Sequence, residues 1–148
     1  MMKKEAQTLA EIQYKYRYTD KTYDKGYEIR WLSKEEYNIF SEHLRLCGQR
    51  EISKEAWNQI YDAGTLYCAL MIDGKMICRA CVEKYSDDAW EIADVRTVRE
   101  FRNHGFAYQV CLFVLGYINS RQKLATMRTE EENVSMQRVI DKLGFERM

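Results

Sequence analysis

Two acidic residues, Glu91 and Asp94, stand just ahead of the run Val95-Arg96-Thr97-Val98-Arg99-Glu100-Phe101-Arg102-Asn103-His104-Gly105-Phe106-Ala107, and this stretch offers two kinds of chemistry. A carboxylate can take a proton from a reacting group, directly or through water. A glycine-containing turn that opens a helix leaves the first helical N–H groups unpaired and pointing outward, with roughly half a positive charge at that end. The missing side chain at Gly105 lets a phosphate come close to the backbone, and Arg102 and His104 can add donors. The same pattern also serves as a plain structural turn, so these residues alone leave both readings open.

The elements that must position this stretch are legible on both sides of it. Ala89 to Val98 reads as a strand, and the nearly continuous apolar run that follows predicts a helix from about Ala107 to Gln122. Lys123 to Thr129 reads as another strand, and the connection from 98 to 123 has the length of a crossover between parallel strands. Upstream, Tyr27 to Leu32 is a strand, and Ser33-x-x-Glu36 is a capping box opening a helix to about Leu46. Ser53 caps a second helix carrying Ala56, Trp57, Ile60 and Tyr61, with Gly64 just past its end. Thr65 to Ile72 and Lys75 to Tyr85 flank Asp73-Gly74, a two-residue hairpin signal. Asn133 caps a last helix with Met136, Val139, Ile140 and Leu143 on one face and Gly144 at its end. At the start, Ile12, Tyr14, Tyr16 and Tyr18 alternate with polar residues, which argues for a strand. The chain thus divides into an extension, residues 1–24, and one domain, residues 25–148.

Composition bounds the function classes. With 148 residues, one domain fits, large enough to bury roughly two thirds of its unfolded surface. Lys plus Arg and Asp plus Glu each number 23, so the balance asks for neither nucleic acid nor an anionic membrane. No apolar run reaches the roughly 20 residues needed to span a bilayer, and the N-terminus lacks the apolar core of a signal peptide, so a cytoplasmic location is expected. The five cysteines sit mostly in apolar segments, as reduced core thiols do. Cys78-Arg79-Ala80-Cys81 spells C-x-x-C, but residues three apart on a strand face opposite sides, and His43 and His104 make no second ligand pair, so no metal is expected.

Arg102-x-x-Gly105-x-Ala107 resembles the Arg/Gln-x-x-Gly-x-Gly/Ala pyrophosphate loop of the GNAT superfamily of N-acetyltransferases, and Asn133 through Lys142-Leu143-Gly144-Phe145 resembles the family's closing helix. The order β-α-α-β-β-β-α-β-α looks like the GNAT fold over roughly Tyr27 to Phe145, an α+β arrangement with α/β/α layers around a mixed sheet. The resemblance implies acetyl-coenzyme A as co-substrate and a primary amine of a small molecule or peptide as acceptor, attacked directly. It places the pantetheine arm along Thr97 and Val98, the pyrophosphate on Arg102, Asn103, His104, Gly105, Phe106 and Ala107, and a further contact at Asn133. Glu91 and Asp94 are the candidate general bases. With regular alternation Glu91 shares a face with Val95 and Thr97 while Asp94 faces the other way; a bulge would swap the faces beyond it.

Departures from the family pattern matter as well. Arg99 stands where members commonly have Pro, and Ile140 stands where many carry the Tyr that protonates the leaving thiolate, which leaves Tyr108, Ser135 or water for that role. The chain also ends three residues after Phe145, short of the family's usual C-terminal strand or strands, so a sheet edge is expected to be open. The alternating segment from Ile12 to Tyr18 could fill it, within the chain or in a homodimer. Two other readings stay in view: a coenzyme A binding module without catalysis, and a loop that holds another phosphorylated ligand such as a nucleotide.

Overall fold

The computed structural model describes residues 10–16 and 21–148. Arg17 and Tyr18 of the alternating segment, and the charged N-terminus, lie outside the described residues. The elements are β1 (Glu11–Tyr16), β2 (Glu28–Trp31), α1 (Tyr37–Leu46), α2 (Lys54–Asp62), β3 (Leu66–Ile72), β4 (Lys75–Glu83), β5 (Ala89–Thr97), α3 (Phe106–Ser120), β6 (Leu124–Glu130), α4 (Val134–Leu143) and β7 (Phe145–Arg147), with short 3-10 turns at Lys34–Glu36 and Arg99–Phe101. They form a seven-stranded sheet in the order β2-β3-β4-β5-β6-β1-β7, in which β5 and β6 are parallel and the other neighbours antiparallel.

The sheet edge does not stay open. β1 lies along β6, from Glu11 opposite Glu130 to Lys15 opposite Thr126, and the last residues of the chain form β7 on the other side of β1. The alternation read at Ile12, Tyr14 and Tyr16 is thus a strand within this chain, and the expectation of a missing C-terminal strand is corrected by β7. Tyr14 is fully buried, so one face of β1 helps close the core.

Each helix follows from its sequence. Ser33 N–H donates to the Glu36 carboxylate at 2.9 Å, the return half of the capping box, although the first turn is 3-10 before α1 continues. Ser53 Oγ accepts from Ala56 N–H at 3.1 Å and starts α2. α3 turns Val110, Cys111, Leu112, Val114, Leu115 and Ile118 inward, and full burial of such apolar side chains is worth about 1.5–3 kcal/mol each for the larger ones.

Two cores result, one on each face of the sheet. α3 and α4 pack with Leu70, Ile77, Val82 and Ile92 on one side, while α1 and α2 pack Phe40, Leu44 and Trp57 against Tyr67, Met76 and Cys81 on the other. Cys78 falls in the first core and Cys81 in the second, as strand geometry requires of residues three apart. No helix among the described residues is long and apolar enough to cross a membrane.

Candidate active site

β5 sets the site through one irregularity. Its register against β4 runs Glu83 opposite Glu91, Val82 opposite Ile92 and Cys81 opposite Ala93, then resumes with Arg79 opposite Arg96. Asp94 and Val95 therefore share the single partner Ala80, which is a β-bulge, and Asp94 takes a left-handed φ of 49° that a short polar side chain tolerates. The bulge reverses the alternation beyond it. Asp94 joins Glu91 on the face covered by α1 and α2, while Val95 packs toward the core under α3. The strictly alternating assignment, with Asp94 facing away from Glu91, is thus corrected.

The two acids then meet different surroundings. Glu91, with its side chain 7 % exposed, accepts from Arg128 Nε of β6 at 2.8 Å. Asp94, 44 % exposed, opens onto a cavity of about 410 Å³ lined by Phe40, Leu44, Gln49, Arg50, Ile52, Ile60 and Tyr67. Its carboxylate accepts from Tyr67 Oη at 2.6 Å, from Arg79 Nε at 3.2 Å and from Arg79 Nη2 at 2.9 Å. A carboxylate has about four acceptor positions, so one is left to face the cavity.

Arg79 is fixed from behind. Its side chain is 3 % exposed, and Nη1 donates to Gln49 Oε1 at 2.8 Å and meets His43 Nε2 at 3.2 Å. His43 Nδ1 lies 2.9 Å from the Met76 carbonyl, which can only accept, so Nδ1 carries the proton and Nε2 accepts from the guanidinium. Burial pushes the imidazole pKa down to about 4, against the Met76 hydrogen bond, and the Arg79 charge lowers it further. Burial likewise drives the Tyr67 phenol far above its ordinary range, so it stays a donor to Asp94. Sequence reading missed Tyr67, Arg79, His43 and Gln49 as one network. The usable signal was Arg79 itself, a charge in the apolar run Met76 to Val82 that had to find partners once buried.

Beyond Glu91, β5 loses its parallel neighbour: β6 pairs with it only from Ala89 to Glu91. A stretch of backbone edge up to Thr97 is thereby left facing a cleft between the two strands. Val98 N–H donates to Ile77 O at 2.8 Å and Val98 O accepts from Phe101 N–H at 2.9 Å, so that residue's backbone groups are already engaged. The same bond flanks the pair Thr97 and Cys78, which turns the Thr97 N–H and C=O away from β4 and into the cleft. Thr97 O accepts from Arg102 Nε at 3.3 Å.

β5 runs from there into the turn. Asn103 has φ 66° and Gly105 φ 80°, two left-handed residues that bring the chain round into α3. The first helical bond is Gln109 N–H to Gly105 O at 3.2 Å, and Gly105 supplies no side-chain cap, so the amides before Gln109 stand outside the helical ladder. A Cβ at Gly105 would meet nothing within 4 Å, so the space in front of it is open. His104 holds Phe101 O through Nδ1 at 3.1 Å and stacks on Phe106, and Ala107 follows in the first turn. Open space, outward amides and a nearby guanidinium suit a pyrophosphate, and the cleft beside Thr97 suits an extended arm.

Asn133 lies elsewhere in the chain and caps α4, its Oδ1 accepting from Met136 N–H at 3.1 Å and from Ser135 Oγ at 3.4 Å. Ile140 is fully buried in the α3 and α4 core. Tyr108, in the first turn of α3, has the Lys142 ammonium over its ring at 4.3 Å.

Comparison with known proteins agrees with this fold. A sequence model of the acetyltransferase (GNAT) family matches residues 26–145. A GNAT-family protein from Novosphingobium aromaticivorans superposes with a TM-score of 0.76 at 17% identity, covering 93% of this chain and 59% of its own. An acetyltransferase from the GNAT family of Colwellia psychrerythraea gives 0.74 at 15% identity, covering 95% of this chain and 53% of its own. An aminoglycoside acetyltransferase from an uncultured soil metagenomic sample, in complex with sisomicin, gives 0.67 at 9% identity, covering 79% and 86%. The chain thus spans little more than half the length of the first two, and at these identities the likeness is one of fold. No curated protein matches the chain's sequence.

Proposed function

The chain belongs to the acetyltransferase (GNAT) family, and from that premise we propose that it is an N-acetyltransferase moving acetyl from acetyl-coenzyme A to a primary amine of a small molecule or peptide. The observation that carries the reading is β5, which parts from β6 after Glu91 and runs, with an unpaired edge, straight into the Gly105 turn. Acetyl-coenzyme A supplies an acyl group already activated as a thioester. The amides from Asn103 to Ala107 would hold its pyrophosphate, with Arg102 and His104 beside them, and Thr97 would pair with its pantetheine arm. Val98 would contribute packing rather than an amide, and Asn133 has its side-chain nitrogen left for a contact while its oxygen caps α4.

On the acceptor side, Asp94 is the carboxylate that meets the amine. An alkylammonium with pKa about 10.4 must lose a proton before attack, at a cost of roughly 4 to 5 kcal/mol at pH 7. Asp94 presents its remaining acceptor position to the amine N–H and, being partly exposed, passes the proton to solvent. Glu91, covered and ion-paired with Arg128, holds β5 to β6 where the strands begin to part. A thiol pKa near 8.5 lets the coenzyme leave as thiolate at neutral pH without a dedicated acid. That matters because the expected acid position is the core residue Ile140.

The same Ile140 favours a second reading, a coenzyme A binding module without catalysis. An acetyl-transfer screen of amine acceptors with a thiol-release readout separates the two. Acceptor-dependent thiol release that falls in Asp94→Asn supports the enzyme; tight acetyl-coenzyme A binding with no turnover on any amine supports the module.

A further inference from the structure

Resting on that reading of the cavity as the acceptor site, we infer that the acceptor is an amine that carries an anionic group on an apolar body, its amine at Asp94 and its anion on Arg50 and Arg96. The cavity wall is mainly apolar, from Phe40, Leu44, Ile52 and Ile60, so a bare hydrophilic amine would leave it unfilled.

The charges around it do not balance. Asp94 is neutralised by Arg79. Among the other acids on the covering elements, Glu51 is engaged with Ser41 and Arg45, Glu36 with Arg30 and Asp62 with Lys34, while Glu42 and Glu55 are exposed and do not line the cavity. Arg50 lines the cavity and has neither ion pair nor hydrogen bond among the described residues. Arg96 sits opposite Arg79 on the Asp94 face of β5, and its Nε is buried with no partner. A half-buried guanidinium without a counter-ion is a ready partner for an anion that reaches its terminal nitrogens.

Two uncompensated guanidinium groups recognise a carboxylate or a phosphonate through paired donors. Asp94 and Arg96 are two residues apart on one strand face, about 6–7 Å along the chain, so amine and anion should be separated by only a few bonds. The same charges repel an acceptor bearing several ammonium groups, which sets this cavity against polycationic antibiotics such as sisomicin.

Calorimetric titration of the full chain, in parallel with thiol-release assays, tests this with L-phenylalanine, its phosphonic acid analogue, phenethylamine and sisomicin. The expected result is that phenylalanine or its phosphonic analogue binds about tenfold or more tighter than phenethylamine, the two anions distinguishing carboxylate from phosphate chemistry. Sisomicin should bind more weakly than either. Arg50→Ala, on an exposed loop, and Arg96→Gln should each erase the preference, bringing phenylalanine down to the affinity of phenethylamine for the same variant. Equal or tighter binding of phenethylamine, a preference that survives both substitutions, tighter binding of sisomicin, or no binding of any compound overturns the inference. A preference for the anionic amine without any thiol release would overturn the acetyltransferase reading instead, and equal acetylation of phenylalanine and phenethylamine would spare that reading while refuting this one.

Discussion

Asp94 and Glu91 are three residues apart, and one bulge gives them the same face but different occupations. Asp94→Asn should lower kcat/KM about 100-fold, the usual scale for losing a positioned proton acceptor, and should also lower the thermal midpoint, because the buried Arg79 loses its counter-charge. Glu91→Gln should lower the midpoint through loss of the pair with Arg128 but keep turnover with a good acceptor within a few-fold. Steady-state kinetics and thermal melts on both variants check this together. Gly105→Ala probes the other half of the site. A left-handed alanine costs about 1–2 kcal/mol, yet the added methyl meets no protein atom, so it should obstruct only what binds in the open space. A several-fold rise in KM for acetyl-coenzyme A with a modest drop in midpoint is the expected outcome. Both carboxylates and the Gly105 loop could be named as candidates from the sequence, through their place on and after the β5 stretch and the resemblance of Arg102-x-x-Gly105-x-Ala107 to a pyrophosphate loop. Which carboxylate opens onto the cavity could not, since the choice turns on a positive φ at Asp94 that the residue tolerates without requiring.

At the scale of elements, periodicity revealed each helix and the longer strands to within a few residues. β7 escaped because three residues cannot display a period, and its place depends on β1, a strand distant in sequence that must lie between it and β6. The parting of β5 from β6 was equally hidden, since nothing in either strand's composition records where a parallel pairing stops. β1 invites a direct test. Tyr14 is fully buried, with the Arg147 guanidinium 6.0 Å from its ring, but its hydroxyl has no hydrogen-bond partner. Tyr14→Phe removes that stranded group and keeps the packing, so it should raise stability by about 1 kcal/mol. Tyr14→Ala leaves a cavity and should lower it by about 3–5 kcal/mol. Urea denaturation of the two variants reads both signs.

Across the whole molecule, the buried polar network couples stability to pH. His43 titrates near 4 in the folded chain against an ordinary 6.5, because burial disfavours its charge. The unfolded chain therefore binds more protons between these values, so stability rises with pH in that window. The contribution is complete above about pH 6.5 and is lost as pH falls toward 4. Glu36, held at about 2 by its hydrogen bonds from Arg30, acts in the same direction but lower, below its ordinary 4.5. The urea midpoint should thus drop between pH 7 and pH 5, and His43→Gln should flatten that slope.

In the proposed function, the β5 edge and the Gly105 turn together hold acetyl-coenzyme A. Calorimetric titration of the chain with acetyl-coenzyme A, coenzyme A and ATP tests it most directly. Saturable one-site binding of both coenzyme A species, weakened in Gly105→Ala, with no comparable binding of ATP, is the predicted result. Binding of ATP alone, or coenzyme A affinity unchanged by the substitution, would contradict it.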